Sequence, residues 1–327
     1  IYSDFLDYSL RLRKFAFLER CISHFDLVDI DINATVHILQ KNELISGFLY
    51  AYSYGLLDYA GAFQLIFEHM MIKQTGEFPS PEQTDIGYKL FLFIQYTSQS
   101  RVFPRGEKLA LNSSALSSLI KAMLSPAILP PIAGSLRLEK SLETHPLFLK
   151  TFPYLFALAK IDFYALFHCL HLSLVELYSQ GIGKSLNIKG QDSTELSYGD
   201  MLYSVLLFAK FGDEEMGMKN SFQRCYYEHS LDHIVSVTCI LPEPFIQEII
   251  LHCRYHIKPL SLAEKYIFSL VSSQSKNISF LSNFTSSLEK SGFYFPALRL
   301  YGSKLKPTSE TLSQAIESYL SNKNEDQ

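Results

Sequence analysis

The chain has 327 residues, 47% hydrophobic and 19% charged, with 29 basic and 33 acidic side chains for a formal charge of −4. Disorder needs low hydrophobicity and high net charge, so it is excluded. A nucleic-acid binder needs a surplus of Lys and Arg, so the charge balance argues against that class, and against broad electrostatic adsorption to anionic lipid.

Gly (15) and Pro (13) fall below average usage, which favours long helices over hairpins. Trp is absent, and 25 Phe with 20 Tyr fill space instead. The five cysteines, Cys21, Cys169, Cys225, Cys239 and Cys253, are odd in number, widely spaced and without a CxxC pair. They predict no disulfide framework and fit a reducing compartment. The sequons at Asn33, Asn112, Asn277 and Asn283 are of the kind that arise by chance. No membrane span is expected: the most apolar stretch, residues 154–178, is interrupted by Lys160, Asp162, His168, His171 and Glu176. A first residue of Ile1 reads as an internal piece of a longer protein.

In chain order, Phe5 to Leu18 shows helical spacing with Arg11, Arg13, Lys14 and Arg20 between the apolar residues. Asp26, Asp29 and Asp31 fit a turn better than a strand, with Asn33 or Thr35 capping the next helix. Residues 44–54 form a helix apolar nearly all round, which Gly55 can stop, and residues 58–69 form the next. Residues 88–96 are again apolar almost throughout. A Ser-rich helix covers 113–124, Pro153 can open a helix at its first position, and a successor runs over 162–178. Further helices are expected over 202–208, 221–237, 244–256, 261–271, 293–301 and 311–320. Surface loops are expected near 73–82, 101–112, 125–145, 179–196 and 272–287, with a shorter one over 212–220. Helices apolar on more than one face suit stacking, where each touches a partner and neighbours on both sides. The predicted fold is therefore all-α, an α-solenoid of degenerate stacked helical hairpins over residues 1–327.

Chemistry-bearing motifs are few. Gly183-Lys184-Ser185 ends like a phosphate-binding loop, but Tyr178 stands where the first glycine belongs and a helix precedes it. Cys225, His229 and His233 recur every four residues and could offer three ligands to a transition metal. His168 with His171 and His252 with His256 offer two each. The plainer alternative is packed histidines on helix faces, and neither CxxC nor HExxH is present. Asp213, Glu214 and Glu215 read as a solvated acidic run. The Arg11, Arg13, Lys14 cluster reads as the polar face of a helix or, alternatively, as a contact for an acidic lipid or partner. No nucleophile elbow or triad appears, so no catalytic residue, resident metal or cofactor is assigned.

Several stretches, in order, resemble one family. Glu19-Arg20-Cys21, His24 and Asp26 are followed by Leu49-Tyr50-Ala51-Tyr52, Gly55 and Asp58-Tyr59. Arg101 to Gly106 with Pro104, then Pro153-Tyr154-Leu155 ahead of Asp162, and Gly292-Phe293-Tyr294 ahead of Tyr319-Leu320, complete the set. Together they are similar to the helical region of the vacuolar protein sorting-associated protein 8 family. Ser53-Tyr54 replaces the Asn-Arg that the family carries before its glycine. Gly55, Asp58, Tyr59, Pro104, Gly106, Pro153, Tyr154, Gly292 and Tyr294 are the positions the resemblance marks, as core and turn residues.

The resemblance implies a non-enzymatic α-solenoid scaffold of CORVET, the endosomal tethering complex, acting in vesicle-mediated transport to the endosome or vacuole. It implies the class C core subunits as partners and an early-endosomal Rab GTPase reached through the full-length protein. It also implies a cytoplasmic place, peripheral on the endosomal membrane, with indirect membrane contact. The alternatives are a related helical scaffold of a vacuolar tether or clathrin-like coat, or a metal-binding helical enzyme.

Overall fold

A computed structural model describes residues 5, 8, 9, 11–25, 27, 30–72, 79–108, 113–124, 153–181, 198–215, 221–237, 239, 241–274, 281–294, 296–298, 300 and 313. The loops predicted at 125–145 and over most of 179–196, the Gly183-Lys184-Ser185 motif and nearly all of the helix predicted over 311–320 lie outside them. Among the described residues there is no β-strand, only an isolated bridge between Arg101 and Lys108.

The chain divides into two compact units, the first holding residues 1–180 and 208–225, the second 181–207 and 226–327. In the first unit α1 (Phe15–Ile22) and α2 (Ile32–Lys41) lead to α3 (Ile45–Tyr50). The residue that caps α2 is Asp31, not Asn33 or Thr35: its extended backbone lets the carboxylate accept from the Ala34 N–H at 3.1 Å. The helix expected over 44–54 is α-helical only to Tyr50 and continues as a π-turn, Ala51–Gly55. The wider turn lets bulky rings stack at i, i+4: Phe48 on Tyr52 at 5.3 Å and Tyr50 on Tyr54 at 5.5 Å. Gly55 is its last residue, where a Cβ would lie 2.8 Å from the Ile32 side chain.

Then follow α4 (Tyr59–Ile72), α5 (Pro81–Ser98), α6 (Ser113–Leu124) and α7 (Pro153–Ser179). α5 starts inside the stretch expected to be loop. Ser80 caps it in a capping box with Gln83, and Pro81 fills the first helical position, where a missing N–H costs nothing. α7 passes a bilayer-spanning test on length and composition alone. However, its backbone breaks at Asp162, whose carboxylate caps the second half through the Ala165 N–H. α7 runs parallel to α5: Tyr88 meets Asp162, the Cys169 thiol donates to the Phe91 carbonyl, and the Ser98 and Ser173 hydroxyls lie 2.6 Å apart. α1 packs on α3, α3 on α5, α4 on α6 and α5 on α7, while sequence neighbours from α2 to α7 also touch. Contact with the next and the next-but-one helix is the mark of stacked repeats, so the fold is all-α and solenoid-like.

Next come α8 (Tyr198–Glu215), α9 (Ser221–Ser236), α10 (Glu243–His256), α11 (Leu260–Gln274) and α12 (Leu281–Lys290). In the second unit α10 packs on both α11 and α12. α12 replaces much of the loop expected over 272–287. Phe284 and Leu288, one turn apart, are both buried and give it a narrow apolar stripe.

One helix-ending device recurs. Glu43, Ser100 and Gly292 take positive φ (58°, 52° and 79°), and the next N–H reaches back five residues: Leu44 to Leu39, Arg101 to Tyr96, Phe293 to Leu288. The repeats are thus echoed in their turns, which a search for a residue period does not see.

Candidate functional site

The positions marked by the resemblance are structural joints. Asp58 Oδ1 accepts the Gly61 N–H at 2.8 Å and so opens α4. Tyr59 stacks on Phe93 at 6.1 Å, and burial pushes its phenol up to about 12. Pro104 and Gly106 lie in the 99–108 turn, where Val102 N–H donates to the Glu107 carbonyl and Gly106 N–H to the Val102 carbonyl. Arg105 from that turn donates to the Tyr50 hydroxyl, which donates in turn to the Phe25 carbonyl. Pro153 opens α7, and Tyr154 beside it is buried against Phe63 and Phe67 at 5.5 and 4.7 Å. A Cβ added at Gly292 would lie 3.4 Å from the Arg254 guanidinium, and half-buried Tyr294 follows two residues on.

The structure does not gather Cys225, His229 and His233 into a ligand set. All three sit on α9, but Cys225 is buried, while His233 Nε2 lies 2.6 Å from the Tyr198 hydroxyl. Among the described residues no three His, Cys, Asp or Glu side chains are placed to share an ion. Burial pushes the thiols of Cys169 and Cys253 up to about 12 and that of Cys239 to about 11, far from the thiolate a nucleophile or metal ligand needs. His168 and His171 lie on α7, one turn apart.

Residues 213–215 are helical rather than a loop, and Asp213 is not solvated. They form the last turn of α8, and Asp213 is buried with both oxygens accepting from the start of α9, Phe222 N–H at 2.8 Å and Gln223 N–H at 3.0 Å. A carboxylate at a helix N-terminus satisfies orphan donors and complements the dipole.

Sequence spacing did pair His252 with His256, but missed Tyr227. The Tyr227 ring stacks on His252 at 3.7 Å, and His256 stacks on His252 at 5.1 Å. Burial, then the adjacent His256, pulls His252 down from 6.5 to about 4. The unfolded chain therefore binds the extra proton first, so stability is full above pH 6.5 and falls as pH drops towards 4. At ~1.4 kcal/mol per unit, reduced for the ring's solvent access, the loss across that window is about 2 kcal/mol. His252→Phe keeps a stacking ring without the titration. Urea midpoints at neutral and mildly acid pH should therefore lie closer together in the variant than in the parent; equal gaps would refute the assignment.

Stacked helices joined by capped turns, with side chains spent on packing, define a helical-repeat protein. The family model described as Vps8 central TPR matches residues 1–173, just over half of the chain, and the chain belongs to that family. No curated protein and no solved structure matches.

Proposed function

We propose that this chain is the non-catalytic scaffold section of an endosomal membrane tether of the CORVET type, serving vesicle-mediated transport to the endosome or vacuole. The observation that carries the reading is the family match over residues 1–173, the part whose helices pack in next and next-but-one register. A tether needs reach and many weak contacts rather than bond chemistry. A stack in which each repeat touches only its neighbours supplies both. The partners are the class C core subunits of the tether. An early-endosomal Rab GTPase engages the larger protein that carries this chain and holds it peripherally on the cytoplasmic face of the endosome.

The test is direct binding. The 327-residue chain, immobilised, is offered purified class C core subunits singly and together. Retention of at least one at micromolar concentration is expected. Retention of none, with the chain folded by circular dichroism, would overturn the partner assignment. Preference for subunits of a different tether would move it to a related scaffold.

A further inference from the structure

Residues 11–17 are seven consecutive exposed positions in a chain otherwise rich in buried apolar side chains. They alternate cations, Arg11, Arg13 and Lys14, with apolar groups, Leu12, Phe15 and Phe17, the last three 45%, 36% and 53% exposed. An amphipathic helix serving only the core would bury the apolar residues and show the cations. Here the core side of α1 is supplied by Leu18 and Ile22, both fully buried, while Phe15 and Phe17 stay partly in solvent, the Phe17 ring lying 6.2 Å from that of Phe5. The turn before α1 holds Arg13 at φ 51°, closed by Lys14 N–H on the Ser9 carbonyl, which sets Leu12 and Arg13 on its outer side.

The charge has no paired partner among the described residues. Glu19, the one acid between residues 8 and 25, faces inward and accepts from the Ser46 and Gly47 N–H groups at 2.5 and 3.2 Å, where it caps α3. Among the described residues no carboxylate pairs with Arg11, Arg13, Lys14 or the exposed Arg20. A chain of net charge −4 thus carries a local patch of the opposite sign, studded with protruding apolar side chains.

We propose that this patch docks on an anionic bilayer surface. Cations meet acidic headgroups while Leu12 and the two phenylalanines enter the boundary between headgroup and acyl chain, a surface that demands no shape match. This adds a weak direct contact to the membrane attachment expected through partners, and it stands on the geometry of α1 whether or not the tether reading holds. The test is flotation of the 327-residue chain with vesicles of phosphatidylcholine alone or with about 30 mol% phosphatidylserine, at about 0.1 M salt. Partition onto the acidic vesicles should exceed that onto neutral ones by about tenfold and fall when salt screens the surface. Arg13→Glu with Lys14→Glu, which leaves the thermal melt unchanged, and separately Leu12→Ser with Phe17→Ser, should each lower it about tenfold. Equal partition on both vesicles, or variants that bind as the parent does, would overturn the proposal. Retention by an acidic peptide without flotation would do so too, and would give the patch to a protein partner.

Discussion

Tyr154→Ala is expected to lower stability by about 4 kcal/mol, the range found when a buried aromatic ring is deleted and the walls cannot close. The ring is 2% exposed and held edge-on by Phe63 and Phe67 of α4, at 5.5 and 4.7 Å. It also fixes the start of α7, since Pro153 and Tyr154 are that helix's first two residues. Losing it leaves a void and frees the helix end together. Tyr154→Phe is the control. It keeps the ring and removes only the hydroxyl's hydrogen bond with Gln64, about 1 kcal/mol. With no Trp in the chain, unfolding is best followed by ellipticity in urea. An Ala variant no weaker than the Phe variant would contradict this packing.

Gln274→Leu should cost about 3 kcal/mol even though the replacement is apolar and close in volume, because it strands buried polar groups. Gln274 is 3% exposed, and its amide serves a stretch of backbone that has no helix of its own. Nε2 donates to the carbonyls of Val237 at 3.3 Å and Cys239 at 2.9 Å, while Oε1 accepts the Leu241 N–H at 3.2 Å. Leucine leaves three buried backbone groups unsatisfied, and each such group costs ~1–3 kcal/mol. Amide exchange at Leu241 should accelerate by roughly a hundredfold, since ~1.4 kcal/mol is a factor of ten. Unchanged protection at that amide would show that the 237–241 segment is held by other means.

What could be read from the sequence was whatever local chemistry decides. Pro153 at a first helical position and Asp162 amid apolar residues mark both the start of α7 and its break. The helices over 113–124, 221–236 and 243–256 follow from apolar spacing and flanking breakers. What escaped depends on partners distant in sequence. Asp213 looked solvated because the amides it caps come after an intervening segment, at Phe222 and Gln223. α12 looked like loop because Ser, Thr and Asn surround its buried apolar residues Phe284 and Leu288, and only packing on α10 makes that stripe sufficient. Of the boundaries between the two units, 207/208 and 225/226 fall within α8 and α9, where composition marks nothing, whereas 180/181 falls in the polar, Gly-bearing stretch expected as a loop. Of the marked positions, Gly55 was legible as a helix stop and Pro153 as a helix start, whereas the positive φ of Gly292 and the reach of Arg105 to Tyr50 were not.

The scaffold role is tested most directly by assembling the class C core with the full-length protein that carries this chain, intact or with residues 1–327 removed, and measuring complex mass and composition. The intact protein should enter a stoichiometric complex, and the deletion should lose at least one core subunit. A complex of unchanged composition without these residues would contradict the claim that this helical stack holds the tether together.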